Sequence, residues 1–146
     1  MKKVVISLTE NLKHQHSKVR KSSLNALKIV IGCRDANEFL VEALAQLKMT
    51  INDRHHDVRR IAIGVIDYWL QNMDLTSLKQ FEDDLILFLL NGASDEIEDI
   101  REASIEILER HGNHMKEALI TIGDEKPAEE NEEQGEHEDD VSMKEE

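Results

Sequence analysis

At 146 residues the chain has room for one domain and a short appendage, and the single proline with only 3% aromatics weighs against a turn-rich β fold. No stretch nears the roughly 20 consecutive apolar residues that a membrane span requires. The net charge of −13 is lopsided: residues 124–146 carry twelve acids against Lys126 and Lys144, which leaves 19 acids and 16 bases in residues 1–123. The folded part is nearly balanced, so non-specific nucleic-acid binding is not expected of it.

The chain opens with the charged start of a secretory leader, but its apolar run stops after Val4, Val5 and Ile6, far short of a leader's core. Residues 2–13 instead place Val4, Val5, Leu8 and Leu12 on one helical stripe. A polar turn with His14 and His16 follows, and then a second amphipathic run anchored on Val19. Cys33 follows this unit. As the only cysteine it rules out an internal disulfide and fits a reducing compartment, so a cytoplasmic location is expected. The pattern then recurs. Residues 37–51 carry Phe39, Leu40, Leu44, Leu47 and Ile51, ahead of a second run anchored on Val58. Residues 77–90 carry Leu78, Phe81, Leu85 and Leu89, ahead of a run anchored on Ile100.

The anchors Val19, Val58 and Ile100 lie 39 and 42 residues apart, within the span of paired-helix repeats, about 40–47. Four residues after each anchor stands a small residue: Ser23, Ala62, Ser104. Aliphatic residues follow at offset five (Leu24, Ile63, Ile105) and offset eight (Leu27, Ile66, Leu108). At about 100° per residue these offsets fall on one face, with the small residue where neighbouring helices come close. The reading is an all-α superhelix of three helix–turn–helix units, 2–32, 37–71 and 77–112. A short helix over 114–122 would begin a partial fourth, so the solenoid covers residues 1–123.

Directly after each anchor stands an arginine: Arg20, Arg59, Arg101. Offset one lies within the apolar arc, so each guanidinium is partly withdrawn from water and needs acceptors, in a first helical turn whose dipole disfavours a cation. Asp53 and Asp95 stand five residues before their anchors, in the turns. A ladder is expected, with the three arginines meeting the two aspartates of their own or adjacent units.

The Asp-x-x-x-x-Val-Arg pattern, with its small residue and spaced leucines, resembles the HEAT repeat, whose stacked Asp and Arg residues are a family feature. The first unit departs from it, since His14 occupies the aspartate's place. The stretches "NLKHQHSKVR", "DVRRIAIGVIDYWL" and "LLNGASDEIEDIREASIEILERHG", in this order, are also similar to the middle of the HEAT-repeat dynein axonemal assembly factors. These are long cytoplasmic proteins needed to pre-assemble the dynein arms of motile cilia and flagella. The resemblance implies a non-catalytic adaptor with dynein chains and chaperones or other assembly factors as partners. A generic HEAT-repeat protein-binding scaffold unrelated to cilia is the second reading, and a HEAT-type metalloenzyme the third.

Chemical candidates are thin. His14, His16, His55 and His56 lie in the first two turns, but no spacing names a fourth metal ligand. HEAT-type di-iron hydroxylases draw ligands from recurring His-Glu pairs; here the only such pair is His137-Glu138, in the acidic segment. His111 belongs to no H-E-x-x-H pattern, and no phosphate loop or nucleophile elbow occurs. No catalytic, cofactor-binding or metal residue is assigned, and no cofactor is expected.

What remains is surface. Offsets two, six and nine lie opposite the apolar arc, and the resemblance implies that second helices line a concave face. Down the units they read Lys21, Asn25, Lys28, then Arg60, Gly64, Asp67, then Glu102, Glu106, Glu109. The sign runs from basic through mixed to acidic, which suits a partner oriented by complementary charge. Residues 124–146 cannot bury apolar area and are expected to be a disordered acidic tail. Apolar residues at both ends of the stack lack a polar cap, which points to self-association or docking onto a larger assembly.

Overall fold

The structure is a computed structural model that describes residues 1–31 and 38–124, apart from the side chains of residues 122–124. Cys33 lies outside the described residues, as does the acidic segment from residue 125 onward. Among the described residues six α-helices follow one another: α1 (Lys2–Asn11), α2 (Ser17–Ile31), α3 (Leu40–Thr50), α4 (His56–Asn72), α5 (Leu75–Gly92) and α6 (Glu98–Asp124). Among the described residues there is no strand.

Each helix forms where apolar residues recur at three- and four-residue spacing. In α3 these are Leu40, Ala43, Leu44 and Leu47, all buried, with Thr50 folding its hydroxyl back to the Leu47 carbonyl at 2.7 Å. The switch from α4 to α5 is abrupt. Met73 is extended, and Asp74 caps α5 by accepting the Ser77 backbone N–H at 2.9 Å and the Ser77 hydroxyl at 2.8 Å.

Helices pair within units (α1 with α2, α3 with α4, α5 with α6) and pack between units along the series α2, α4, α6. The main contacts join neighbouring units only, so the core runs as a continuous seam through an open stack rather than filling a closed bundle. Trp69 bridges the first two units. It is 1% exposed on α4, and its indole N–H donates to the Lys28 carbonyl of α2 at 3.3 Å.

The offset-four residues are all buried in the seam. Ser23 is 4% exposed, and Ala62 and Ser104 are fully buried. In the third unit Ser104 faces Gly92 of α5, and its hydroxyl donates to the Ile100 carbonyl at 2.7 Å. A Cβ on Gly92 would overlap Ser104 Oγ and press on Ile63 Cδ1. Gly92→Ala is therefore expected to cost about 1–3 kcal/mol through overpacking. Chemical denaturation measures this, and removing the hydroxyl with Ser104→Ala should return part of the loss.

One boundary differs from the sequence reading. No turn interrupts the chain near Gly112: α6 runs unbroken for 27 residues, through the segment 114–122 assigned to a separate fourth-unit helix. Gly112 keeps a φ compatible with any residue, and a lone mid-helix glycine costs only about 1 kcal/mol. The residues beyond it, Asn-His-Met-Lys-Glu-Ala-Leu, include no proline or second glycine, so the helix propagates.

Candidate protein-interaction face

The turns between paired helices hold the most ordered polar chemistry. Arg20 grips its own turn first: Nη1 donates to the carbonyls of His14 at 2.6 Å and Gln15 at 3.1 Å. The opposite edge reaches the next unit, where Nε meets Asp53 Oδ2 at 2.7 Å and Nη2 meets Asp53 Oδ1 at 3.0 Å. Arg59 repeats the geometry one unit on, with Nη1 on the Asp53 carbonyl at 2.7 Å and a fork onto Asp95 at 2.8 and 3.1 Å. Of the pairings open from sequence, the carboxylates met are those of the following unit. Each aspartate also holds its own turn, as Oδ1 accepts the N–H two residues on, from His55 and from Ile97, both at 2.9 Å.

Arg101 departs from the expected ladder. Its Nη1 takes the carbonyls of Asp95 at 2.7 Å and Glu96 at 3.0 Å, but no carboxylate among the described residues meets its Nε–Nη2 edge. The reason is positional: among the described residues no following turn is packed against the third unit. At the other end, His14 serves its turn by a different atom. Its Nδ1 accepts the His16 N–H at 3.0 Å, as an aspartate oxygen does in the later turns.

These contacts set the charge states. Burial raises the Asp53 carboxyl, but the Arg20 hydrogen bond, the His55 N–H and the nearby positive charges outweigh it, leaving it below the ordinary 3.8. Asp95 behaves alike, with burial opposed by Arg59, the Ile97 N–H and the charge of Arg101. Arg59 is raised, chiefly by its hydrogen bond to Asp95. A carboxylate depressed in the folded state contributes stability that is present above its unfolded value and lost as pH falls through the folded one. The melting temperature should therefore hold across neutral pH and fall once pH drops below about 4. Asp53→Asn should flatten this acid limb in melts followed by circular dichroism.

The second-helix face is laced across units. Lys21 approaches Asp57 at 4.0 Å, and Arg60 bridges Asp57 at 3.0 Å and Asp99 at 3.2 Å. Lys28 lies over the Tyr68 ring at 5.1 Å; Asp67 takes Arg110 at 2.9 Å, and Glu106 lies 3.8 Å from the same guanidinium. Asn25, Glu102 and Glu109 are exposed and make no such pair among the described residues. The structure thus brings Lys21, Lys28, Arg60, Asp67 and Glu106 into contacts between or along the second helices. Such exposed pairs contribute little stability each.

His111 was not singled out as a buried group by its sequence. Its ring is mostly covered and its Nε2 lies 2.9 Å from Glu82 Oε1 on α5. It stands eleven residues after Ile100, as Trp69 stands eleven after Val58, so extending the apolar stripe to that offset would have exposed it. With Asp67, Leu70, Gln71, Ile107 and Arg110 it lines an open depression of about 330 Å³ between α4 and α6. The turn histidines do not converge: the His14 and His16 rings lie 5.3 Å apart, and His56 turns to Asp57 at 3.2 Å. Among the described residues no three His, Cys, Asp or Glu side chains cluster tightly enough to hold a metal ion. No described helix is long and apolar enough to cross a membrane.

Stacked helix pairs joined by inter-unit rungs, with a charged face along the second helices, define a helical-repeat protein. The chain belongs to the Dynein axonemal assembly factor 5-like family, whose model, described as having TPR repeats, matches residues 1–119. It is also similar to Dynein axonemal assembly factor 5 of Xenopus laevis, 28% identical over 109 residues, covering 75% of this chain. The chain spans 13% of that relative's length. No solved structure matches.

Proposed function

We propose that the chain is a non-catalytic, cytoplasmic adaptor of HEAT type that supports pre-assembly of the axonemal dynein arms of motile cilia or flagella. The family match over residues 1–119 is the observation that carries this reading. The HEAT assignment draws on the anchor spacings of 39 and 42 residues, wider than the about 34 of a TPR unit, and on the Arg–Asp rungs. Its partners are dynein chains and the chaperones or other factors that mature them. The partner-binding surface is the second-helix face, on which Lys21 and Lys28 form the basic end and Glu102, Glu106 and Glu109 the acidic end.

Affinity purification of the tagged chain from cells building motile cilia tests this. Recovery of axonemal dynein chains above an untagged control is expected; their absence, with the chain folded and soluble, rejects the ciliary role. Lys21→Glu with Lys28→Glu is expected to weaken that capture at least about fivefold at low salt and less at high salt, because exposed charge is screened within about 10 Å at 0.1 M.

A further inference from the structure

The two exposed ends of the stack are unequal, and the repeat register says what each lacks. Offset five faces the following unit: Leu24 is fully buried and Ile63 is 3% exposed, whereas Ile105 in the third unit is 45% exposed. Offset one follows the same rule. Arg20 and Arg59 spend their Nε–Nη2 edges on the next aspartate, while Arg101 is held by its own turn at 2.7 Å, as Arg59 is, with that edge open among the described residues. A second, exposed rung joins offset two to the residue before the next anchor, Lys21 to Asp57 and Arg60 to Asp99. In the third unit offset two is Glu102, so the sign is reversed and the complement there is a base.

We propose that this end of the stack docks a helix-pair unit carried by another chain, whose entry turn bears an aspartate five residues before its apolar anchor and a lysine or arginine directly before it. The aspartate forks onto Arg101, the base meets Glu102, and the unit's apolar seam covers Ile105. Residues 125–146 supply no such unit, since they are acidic and nearly devoid of large apolar side chains. A second copy of this chain offers half of the pattern: Lys18 precedes Val19, but His14 stands in place of the aspartate.

That mismatch supplies the probe. His14→Asp restores the missing carboxylate, and the turn tolerates it, because an aspartate oxygen accepts the same N–H in both later turns. The full-length chain is compared by sedimentation equilibrium as wild type, H14D and H14D/R101Q, with melts confirming that each is folded. The H14D chain should associate head to tail at least about tenfold more tightly than wild type, and R101Q should return it to the wild-type level. Mixing H14D/R101Q with wild type should give a one-to-one complex, since one chain supplies only the turn and the other only the arginine. No gain with H14D, a gain that R101Q does not remove, or equal association by wild type each overturns the assignment. Association only in chains cut at residue 124 would give the site to the chain's own acidic segment and overturn it too. The outcome is independent of the ciliary reading, which the dynein capture decides separately.

Discussion

Asp53→Ala is expected to be the most damaging single substitution in a turn, costing about 3–5 kcal/mol and lowering the melting temperature by roughly 15 °C or more. The Asp53 and Arg20 side chains are 9% and 7% exposed, so deletion strands a guanidinium that water barely reaches. The cap on the His55 N–H goes with it. The loss is serious because the whole stability of a domain this size is only about 5–15 kcal/mol. Circular dichroism melts check the value. Adding Arg20→Met, which takes away the stranded charge, should recover part of the loss; a midpoint within about 3 °C of wild type for Asp53→Ala alone would mean that water screens the pair.

Trp69→Ala should be comparable, at about 3–5 kcal/mol, for a different reason. Trp69 is the only tryptophan in the chain, is 1% exposed, and spans the seam between α2 and α4. Truncation opens a cavity between units that the stiff helices on either side cannot close. Trp69→Phe fills most of that volume and loses the bond to the Lys28 carbonyl, so it should cost about 1–2 kcal/mol. Urea titrations separate the two variants. If both cost the same, the hydrogen bond and not the packing would be the larger contribution.

The stack was legible because its signal is periodic. Anchors, small residues and arginines return at fixed offsets, and a repeat fold needs only neighbouring units to agree. The direction of each rung was not legible. Asp53 lies within reach of its own unit and of the first in sequence terms, and only the packing of α2 on α4 selects Arg20 as its fork. The end of the third unit was not legible at Gly112, since glycine ends a helix only where something draws the chain away, and among the described residues nothing lies within 4 Å of a Cβ built there. On the charged face, the sequence shows which residues point away from the seam. It does not show that Lys28 settles on Tyr68 or that Asp67 takes Arg110, because those neighbours lie 40 and 43 residues further on.

The rungs also constrain how such a chain can lengthen or shorten. Every fork ties a fixed place in one repeat to a fixed place in the next, and each guanidinium reaches the aspartate of only one following turn. Insertion or loss of a few residues inside a helix would swing the arginine off its acceptor and turn the greasy seam toward solvent. Removal or duplication of a complete segment, from one turn to the next, leaves every fork with a match. Growth in this architecture is therefore quantised, and its natural increment is the interval between successive aspartates.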